Sequence, residues 1–339
     1  KGMLGFLLPG AMIVVYLIVS REWDLLLRAE IPRGLLVALF VGFPWYGAMF
    51  ARHGGIGGAF WNRFIIHDHF KRLAVGVHQI DNGSFEHFIK WLGYGVFPWG
   101  ALVPTFIARA FSGETAGERT DADKARTFIF CWFAVAFTLF TYSSTKFHHY
   151  IFPAVPAIAL LSALSLDDLL EGRIKFTAWW PLFLGGLAFV VLVGFDLTAS
   201  PEHLKNMFTY KYDRAWDGDT WNPALKTALR TFFAIAIVGW LLLAAVGRKK
   251  VLTAGIAVLM LNGLAFSVWA LNVYMPMISP TWSQAALWDT YYELCTKVDP
   301  PRGTHAIKAD YYCEESVISY KLNWRGETYY TQNEVIPVD

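Results

Sequence analysis

Polar and apolar positions alternate along this chain in long blocks rather than in the short periods of a soluble fold. Charge-free runs cover Gly2–Ser20, Gly34–Ala51, Trp91–Ala108, Thr127–Thr145, Tyr150–Leu166, Phe176–Phe195, Thr231–Gly247 and Val251 to Ser279. Each run approaches the roughly 20 residues that carry a helix across a hydrocarbon layer about 30 Å thick. Backbone amides have no water partner in lipid, so repeated crossings call for helices that satisfy their own hydrogen bonds. The pattern predicts an all-α polytopic membrane protein with eight spans. A polar interval, residues 52–90, interrupts the row and holds five of the nine histidines. A second change of texture follows Ser279, where the sequence turns polar. It predicts a transmembrane bundle over 1–278 and a small α+β domain over 279–339.

Within the polar interval, Gly54-Gly55-Ile56-Gly57-Gly58 reads as flexible chain. Phe60–Leu73 reads as a helix on the membrane surface, with Phe60, Phe64, Ile65 and Leu73 facing inward. Asn82-Gly83 marks a turn, and Ser84 is placed to cap the helix that follows. Phe97-Pro98-Trp99 predicts a kink in the third span. Ser112–Ala125 reads as a solvated loop. In the tail, Thr281–Val298 reads as a helix, Thr304–Ala309 and Thr328–Ile336 as strands, and Ser316–Leu322 as either.

Composition agrees: 55% of the 339 residues are hydrophobic and 17% charged, too apolar for a soluble chain of this length. The formal net charge of +2 carries no message about partners, and nothing points to nucleic acid. The distribution of charge says more. Twelve cations lie in short connections on one side of the bundle (Arg21, Arg28, Arg33, Arg109, Arg119, Lys124, Arg126, Arg173, Lys175, Arg248, Lys249 and Lys250). The positive-inside rule makes that side cytoplasmic. The interval 52–90, the turn 146–149, the loop 196–230 and the C-terminal tail then fall outside, with every histidine. Cys295 and Cys313 lie in the outer domain, where a disulfide or a pair of buried thiols both fit; Cys131 lies in a span as a small core residue. The chain opens at Lys1-Gly2 directly into a span, so the expectation is the C-terminal part of a longer protein.

Candidate chemistry gathers at the outer rim. No phosphate-binding glycine loop, CxxC, GxSxG or HExxH occurs. In His67-Asp68-His69-Phe70-Lys71-Arg72, Asp68 and Arg72 are four apart and can pair on a helix. Arg72 can give a phosphate two parallel hydrogen bonds; a basic surface helix touching anionic lipid fits as well. A metal held by His67 and His69 is less favoured, because residues two apart point to different helix faces, although a divalent metal stays open and no cofactor is called for. Lys146 sits in a turn with His148, His149 and Tyr150, where it can act as a point charge for a phosphate or simply reach the interface. Lys1 can supply a third cation. Asp196, Asp213, Asp217 and Asp219 read as solvated carboxylates without partners.

These residues resemble the lipid-linked-sugar glycosyltransferases of the GT-C class, in the branch of aminoarabinose transferases (ArnT-like) and protein O-mannosyltransferases. The resemblance rests on Lys1-Gly2, Pro44-Trp45-Tyr46 with His53-Gly54, Asp68-His69 with Arg72, His78, Phe97-Pro98-Trp99, and Lys146 with Tyr150, Pro153 and Pro156. It implies transfer of a sugar from a polyprenyl-phosphate donor to a lipid, protein or glycan acceptor at the periplasmic face of a bacterial inner membrane. It also implies that Arg72, Lys146 and Lys1 neutralise the carrier phosphate, placing positive charge where negative charge develops on the leaving group. His53, Asp68, His69, His78, His149 and Tyr150 would line the site. The acidic catalytic residues of such enzymes would lie upstream of this chain. Competing readings are another GT-C enzyme, such as an oligosaccharyltransferase or O-antigen ligase, and a transporter or non-catalytic lipid-binding subunit.

Overall fold

A computed structural model describes residues 3–28, 30–71, 74, 86–111, 120–144, 146, 148–200, 203–204, 218–282, 284–299, 312–320, 329–331 and 335–338. Arg72, His78, Lys1, Leu73, the turn at 82–84 and the expected strand 304–309 lie outside these residues.

The chain divides into two compact units, one formed by 1–200 with 229–263 and the other by 201–228 with 264–339. The first begins with α1, Met3–Ser20, whose Pro9 lies inside the helix. A short helix α2, Leu25–Arg28, leads to α3, Ile31–Gly42, and α4, Pro44–Arg52. These last two are one apolar stretch bent by 46° at Phe43-Pro44. A proline has no N–H for the preceding turn and its ring crowds the carbonyl four back, so the bend falls where the sequence puts Pro44. The polar interval then forms a helix over Trp61–Lys71, hydrogen-bonded in the wider π pattern.

The third predicted span is present but broken into α5 (Glu86–Gly95), a 3-10 turn (Trp99–Leu102) and α6 (Val103–Phe111). The break coincides with the expected Phe97-Pro98-Trp99 kink. Two long helices follow, α7 (Asp121–Tyr142) and, after a 3-10 segment over His148–Ala154, α8 (Val155–Leu170). α7 begins inside the stretch expected to be loop. Thr120 Oγ1 accepts from the Asp123 amide at 3.2 Å while the Asp123 carboxylate accepts from the Thr120 amide at 3.2 Å, a reciprocal cap. α9 (Phe176–Ala199), α10 (Gly218–Leu242) and α11 (Lys249–Trp269) complete the apolar elements.

Among the described residues, five helical stretches are long and apolar enough to cross a membrane, and six if α3 and α4 count as one. The expected count of eight is approximate. α1 is shorter than the others, and the third span is divided by its proline kink.

Lipid tails are as apolar as leucine, so helices associate here through close packing and polar ties rather than through exclusion of water. Gly186 shows how. A methyl group there would come within 2.0 Å of the Trp240 ring, so only glycine admits that indole against α9. Trp240 Nε1 then donates to the Phe183 carbonyl and Trp179 Nε1 to the Leu243 carbonyl, each at 3.0 Å. Gly100 likewise leaves room for Phe189. A second core joins α1, α5, α6, α7 and α8 through Leu8, Met12, Phe88, Phe106, Phe140 and Ile158. Cys131 is buried where α1 meets α7, the small core residue expected.

The second unit carries α12 (Met275–Trp282), α13 (Ala285–Leu294) and four short strands, β1 (Lys297–Val298), β2 (Tyr312–Cys313), β3 (Ile318–Tyr320) and β4 (Ile336–Val338). β1 pairs antiparallel with β2, and β3 parallel with β4. Cys295 and Cys313 form a disulfide. The Thr296 hydroxyl donates to the Glu315 carboxylate at 2.6 Å and holds its pKa below the usual range. The ambiguous stretch 316–322 is a strand at Ile318–Tyr320. The expected strand over Thr328–Ile336 is displaced: Tyr329-Tyr330 is a helical turn, and the strand starts at Ile336. Trp288 stacks on Tyr330 with ring centroids 6.3 Å apart, and Tyr292 donates to the Tyr330 carbonyl at 2.8 Å. These tertiary contacts hold the Tyr330 backbone in a turn, against the strand preference of neighbouring tyrosines and threonines.

Candidate functional site

Lys146 and Asp168 are the buried charged side chains among the described residues, 7% and 0% exposed. Their neighbours define two ends of the first unit. Arg126, which contacts Asp168, stands near the start of α7, and Ser143, whose carbonyl accepts from Lys146 Nζ at 2.8 Å, stands just past its end. Seventeen residues of helix rise about 25 Å, close to the thickness of a hydrocarbon layer.

At the Asp168 end, Asp168 meets Arg109 at 3.0 Å, Arg126 at 2.7 Å and Arg173 at 2.7 Å, and Arg173 also meets Asp167. Hydrogen bonding to Asp168, then to Asp167, pushes the Arg173 guanidinium above its usual pKa. Lys249 reaches Glu171 at 2.9 Å and Lys124 reaches Glu22 at 2.6 Å. Of the cations that sequence alternation assigned to one face, Arg109, Lys124, Arg126, Arg173 and Lys249 gather at this end, and Arg119 lies outside the described residues.

At the Lys146 end, the amine lies between α7 and the 3-10 segment that begins at His148. Desolvation pushes its pKa below the ordinary lysine range. An anion beside it would oppose that shift. Tyr150 packs next to Phe140, ring centroids 6.2 Å apart, and His149 meets Tyr150 edge-on at 5.0 Å. Trp132 Nε1 ties this segment to α7 through the Pro153 carbonyl at 2.9 Å. Two further features of this end were illegible in sequence. Asp196, expected to be solvated and unpartnered, accepts a hydrogen bond from the Tyr94 hydroxyl. His87 Nε2 lies 3.0 Å from Trp91 Nε1. An indole N–H can only donate, so His87 keeps its lone pair on Nε2 and carries its proton on Nδ1. The spacing of His87, Trp91 and Tyr94 on one helical face was the signal that could have linked them.

The π-helix Trp61–Lys71 is held by an aromatic ladder to α4. Tyr46 stacks on Phe64 at 5.2 Å, Phe60 on Phe64 at 5.2 Å, and Phe50 meets Phe60 edge-on at 5.1 Å. His69 Nδ1 lies 2.5 Å from the Phe64 carbonyl. A carbonyl can only accept, so Nδ1 holds the proton and Nε2 is the acceptor. His67 Nδ1 lies 3.0 Å from Asp68, so that carboxylate is engaged by its neighbour. His53 is exposed at the end of α4. Ile65 is buried as expected, and Phe64 is half-buried. Among the described residues, no group of three His, Cys, Asp or Glu converges as a metal site.

The described residues form a helical bundle with a buried lysine at one end and a chain of arginine ion pairs at the other. The fold is that of ArnT from Cupriavidus metallidurans. Its crystal structure bound to undecaprenyl phosphate superposes with a TM-score of 0.67 at 21% identity, covering 100% of this chain and 54% of that one; the apo structure gives a TM-score of 0.64. In sequence, the chain is 26% identical to the undecaprenyl phosphate-alpha-4-amino-4-deoxy-L-arabinose arabinosyl transferase of Aeromonas salmonicida over 275 residues, 80% of this chain and 45% of that protein. It is 29% identical to arabinosyl transferase 2 of Pseudomonas fluorescens over 209 residues, 58% of this chain and 32% of that protein. No protein-family profile matches the chain. The chain is ArnT-like in sequence and fold, and it spans about half the length of the relatives it matches.

Proposed function

We propose that this chain forms the donor-lipid side of a glycosyltransferase that moves a sugar from a polyprenyl phosphate to a lipid, protein or glycan acceptor. The acidic groups that activate the acceptor are assigned to sequence beyond this chain. The Lys146 end is periplasmic and the Asp168 end cytoplasmic, in a bacterial inner membrane.

The observation that carries this reading is Lys146, a lysine 7% exposed at the rim of an apolar bundle. A lysine amine fixed at the edge of an apolar bundle is a compact point charge suited to a phosphate. The likeness to a protein whose structure holds undecaprenyl phosphate supports a phosphate as that ligand. As the sugar departs, charge accumulates on the phosphate, and a fixed cation there lowers the barrier. Arg72 and Lys1 remain proposed partners on the sequence resemblance, with His53, Asp68, His69, His78, His149 and Tyr150 as lining. Transport calls for ionisable groups at mid-span. Lys146 and Asp168 instead lie at helix ends, which favours chemistry at the membrane surface.

The test is Lys146→Ala in the full-length protein in proteoliposomes, assayed for transfer from an undecaprenyl-phosphate sugar. Loss of one charge-stabilising donor should lower transfer about 10²-fold, and Lys146→Arg should retain part of it. Full transfer by Lys146→Ala overturns the proposal.

A further inference from the structure

The Tyr94–Asp196 pair is not among the residues proposed above to hold or line the phosphate site, yet it lies at the same end of the bundle. Tyr94 is buried and its hydroxyl donates to Asp196, near the end of α9. The two residues stand 102 apart in sequence, so the bond fixes α5 against α9.

Contacts run from this bond along α5. Trp91 lies edge-on to Tyr94 at 6.1 Å and donates to His87 at 3.0 Å. Between them Phe88, 0% exposed, packs in the core that holds Phe140, Ile151 and Ala154, with Tyr150 against it. The 3-10 segment bearing Tyr150 continues from Lys146. A shift of α5 therefore moves the wall on which Tyr150 and the Lys146 turn rest.

We propose that Asp196 and Tyr94 are positioning residues, a latch between α9 and α5 that sets the geometry of the Lys146 phosphate site through Phe88 and Tyr150. The inference rests on the donor-site reading above. Without the latch, α5 loses a directional bond to α9, and apolar packing resists sliding less well than such a bond does. The donor phosphate then meets the amine at the wrong distance. Binding suffers more than turnover of whatever donor does bind.

The experiment uses the full-length protein in proteoliposomes, with undecaprenyl-phosphate sugar as donor. Tyr94→Phe, Asp196→Asn, the double variant and Lys146→Ala are compared. Tyr94→Phe and Asp196→Asn should each raise the donor KM about tenfold with kcat changed less than about twofold, and the double variant should be no worse than either single, as coupled groups require. Asp196→Glu should recover part of the loss. Tyr94→Phe keeps the ring and drops one oxygen, so it carries the test if the aspartate variants fail to elute as folded protein. A wild-type KM in Tyr94→Phe beside a raised KM in Lys146→Ala overturns the latch alone. Additive losses in the double variant overturn it as well, as does a kcat loss at unchanged KM. Wild-type kcat and KM together in Lys146→Ala overturn the donor-site reading, with the latch's role in it.

Discussion

Lys146 is held in a position that costs the folded protein stability. Desolvation depresses its pKa, so the unfolded chain binds the proton more tightly than the native one does. Stability then rises with pH across the interval between the native and unfolded lysine pKa values, because deprotonation removes the unfolded state's advantage. Lys146→Met fills the same space without the charge. It should unfold about 1 kcal/mol harder near neutral pH, as cavity-compatible replacements of strained functional groups do. Its stability should also lack the alkaline rise that the wild-type protein shows in that interval. Thermal unfolding in detergent from neutral to alkaline pH reads both effects. Equal curves for the two proteins would remove the argument that the lysine is kept for a ligand. The hydrogen bonds of His69 and His87 belong to the same scale: the Phe64 carbonyl requires a proton on His69 Nδ1, and the Trp91 indole requires a lone pair on His87 Nε2.

At the scale of elements, the cluster around Asp168 ties α6, α7, α8 and the turn after α8 with one carboxylate. Three guanidinium groups converge on a side chain without solvent contact, so removal of the carboxylate breaks three ion pairs at once. Asp168→Ala should cost about 3–5 kcal/mol of unfolding free energy, seen as a large fall in the thermal midpoint. A fall no larger than that of an exposed control such as Asp24→Ala would show that the arginines find water or lipid phosphate instead. The broken third span carries a different lesson. Its proline kink divides α5 from α6, so α5 is short enough to be set by what it touches at the Lys146 end rather than by the full length of a rigid helix.

For the whole molecule, the asymmetry of charge supports the proposed orientation. Cations in short connections gather at the Asp168 end, and under the positive-inside rule that end is proposed to be cytoplasmic. His53 and Lys250 are both exposed and belong to opposite faces in this orientation. A cysteine at position 53 in the full-length protein should react with a membrane-impermeant maleimide on spheroplasts. A cysteine at position 250 should react only after the membrane is opened. Reversed labelling would place the Lys146 end in the cytoplasm and remove it from a periplasmic reaction.

The long charge-free runs and the clustered cations were enough to determine the helical membrane class and the common face of Arg109, Arg126 and Arg173, because solvation in lipid constrains every residue of a span alike. Pro98 likewise marked the break in the third span, since a missing N–H acts locally; the bend at Pro44 was not read from the sequence. The resemblance marked Lys146 as a phosphate ligand, but its burial came only from the packing of α7 against the segment that follows. Tyr94 and Asp196 were unreadable as a pair: nothing in either residue's surroundings along the chain points to a partner 102 positions away. The same holds for the π turn at Trp61–Lys71 and for the helical turn at Tyr329-Tyr330. Hydrogen bonds and ring contacts between distant side chains depend on how helices pack, and that packing is decided by glycine gaps and indole donors acting together rather than by any single stretch of sequence.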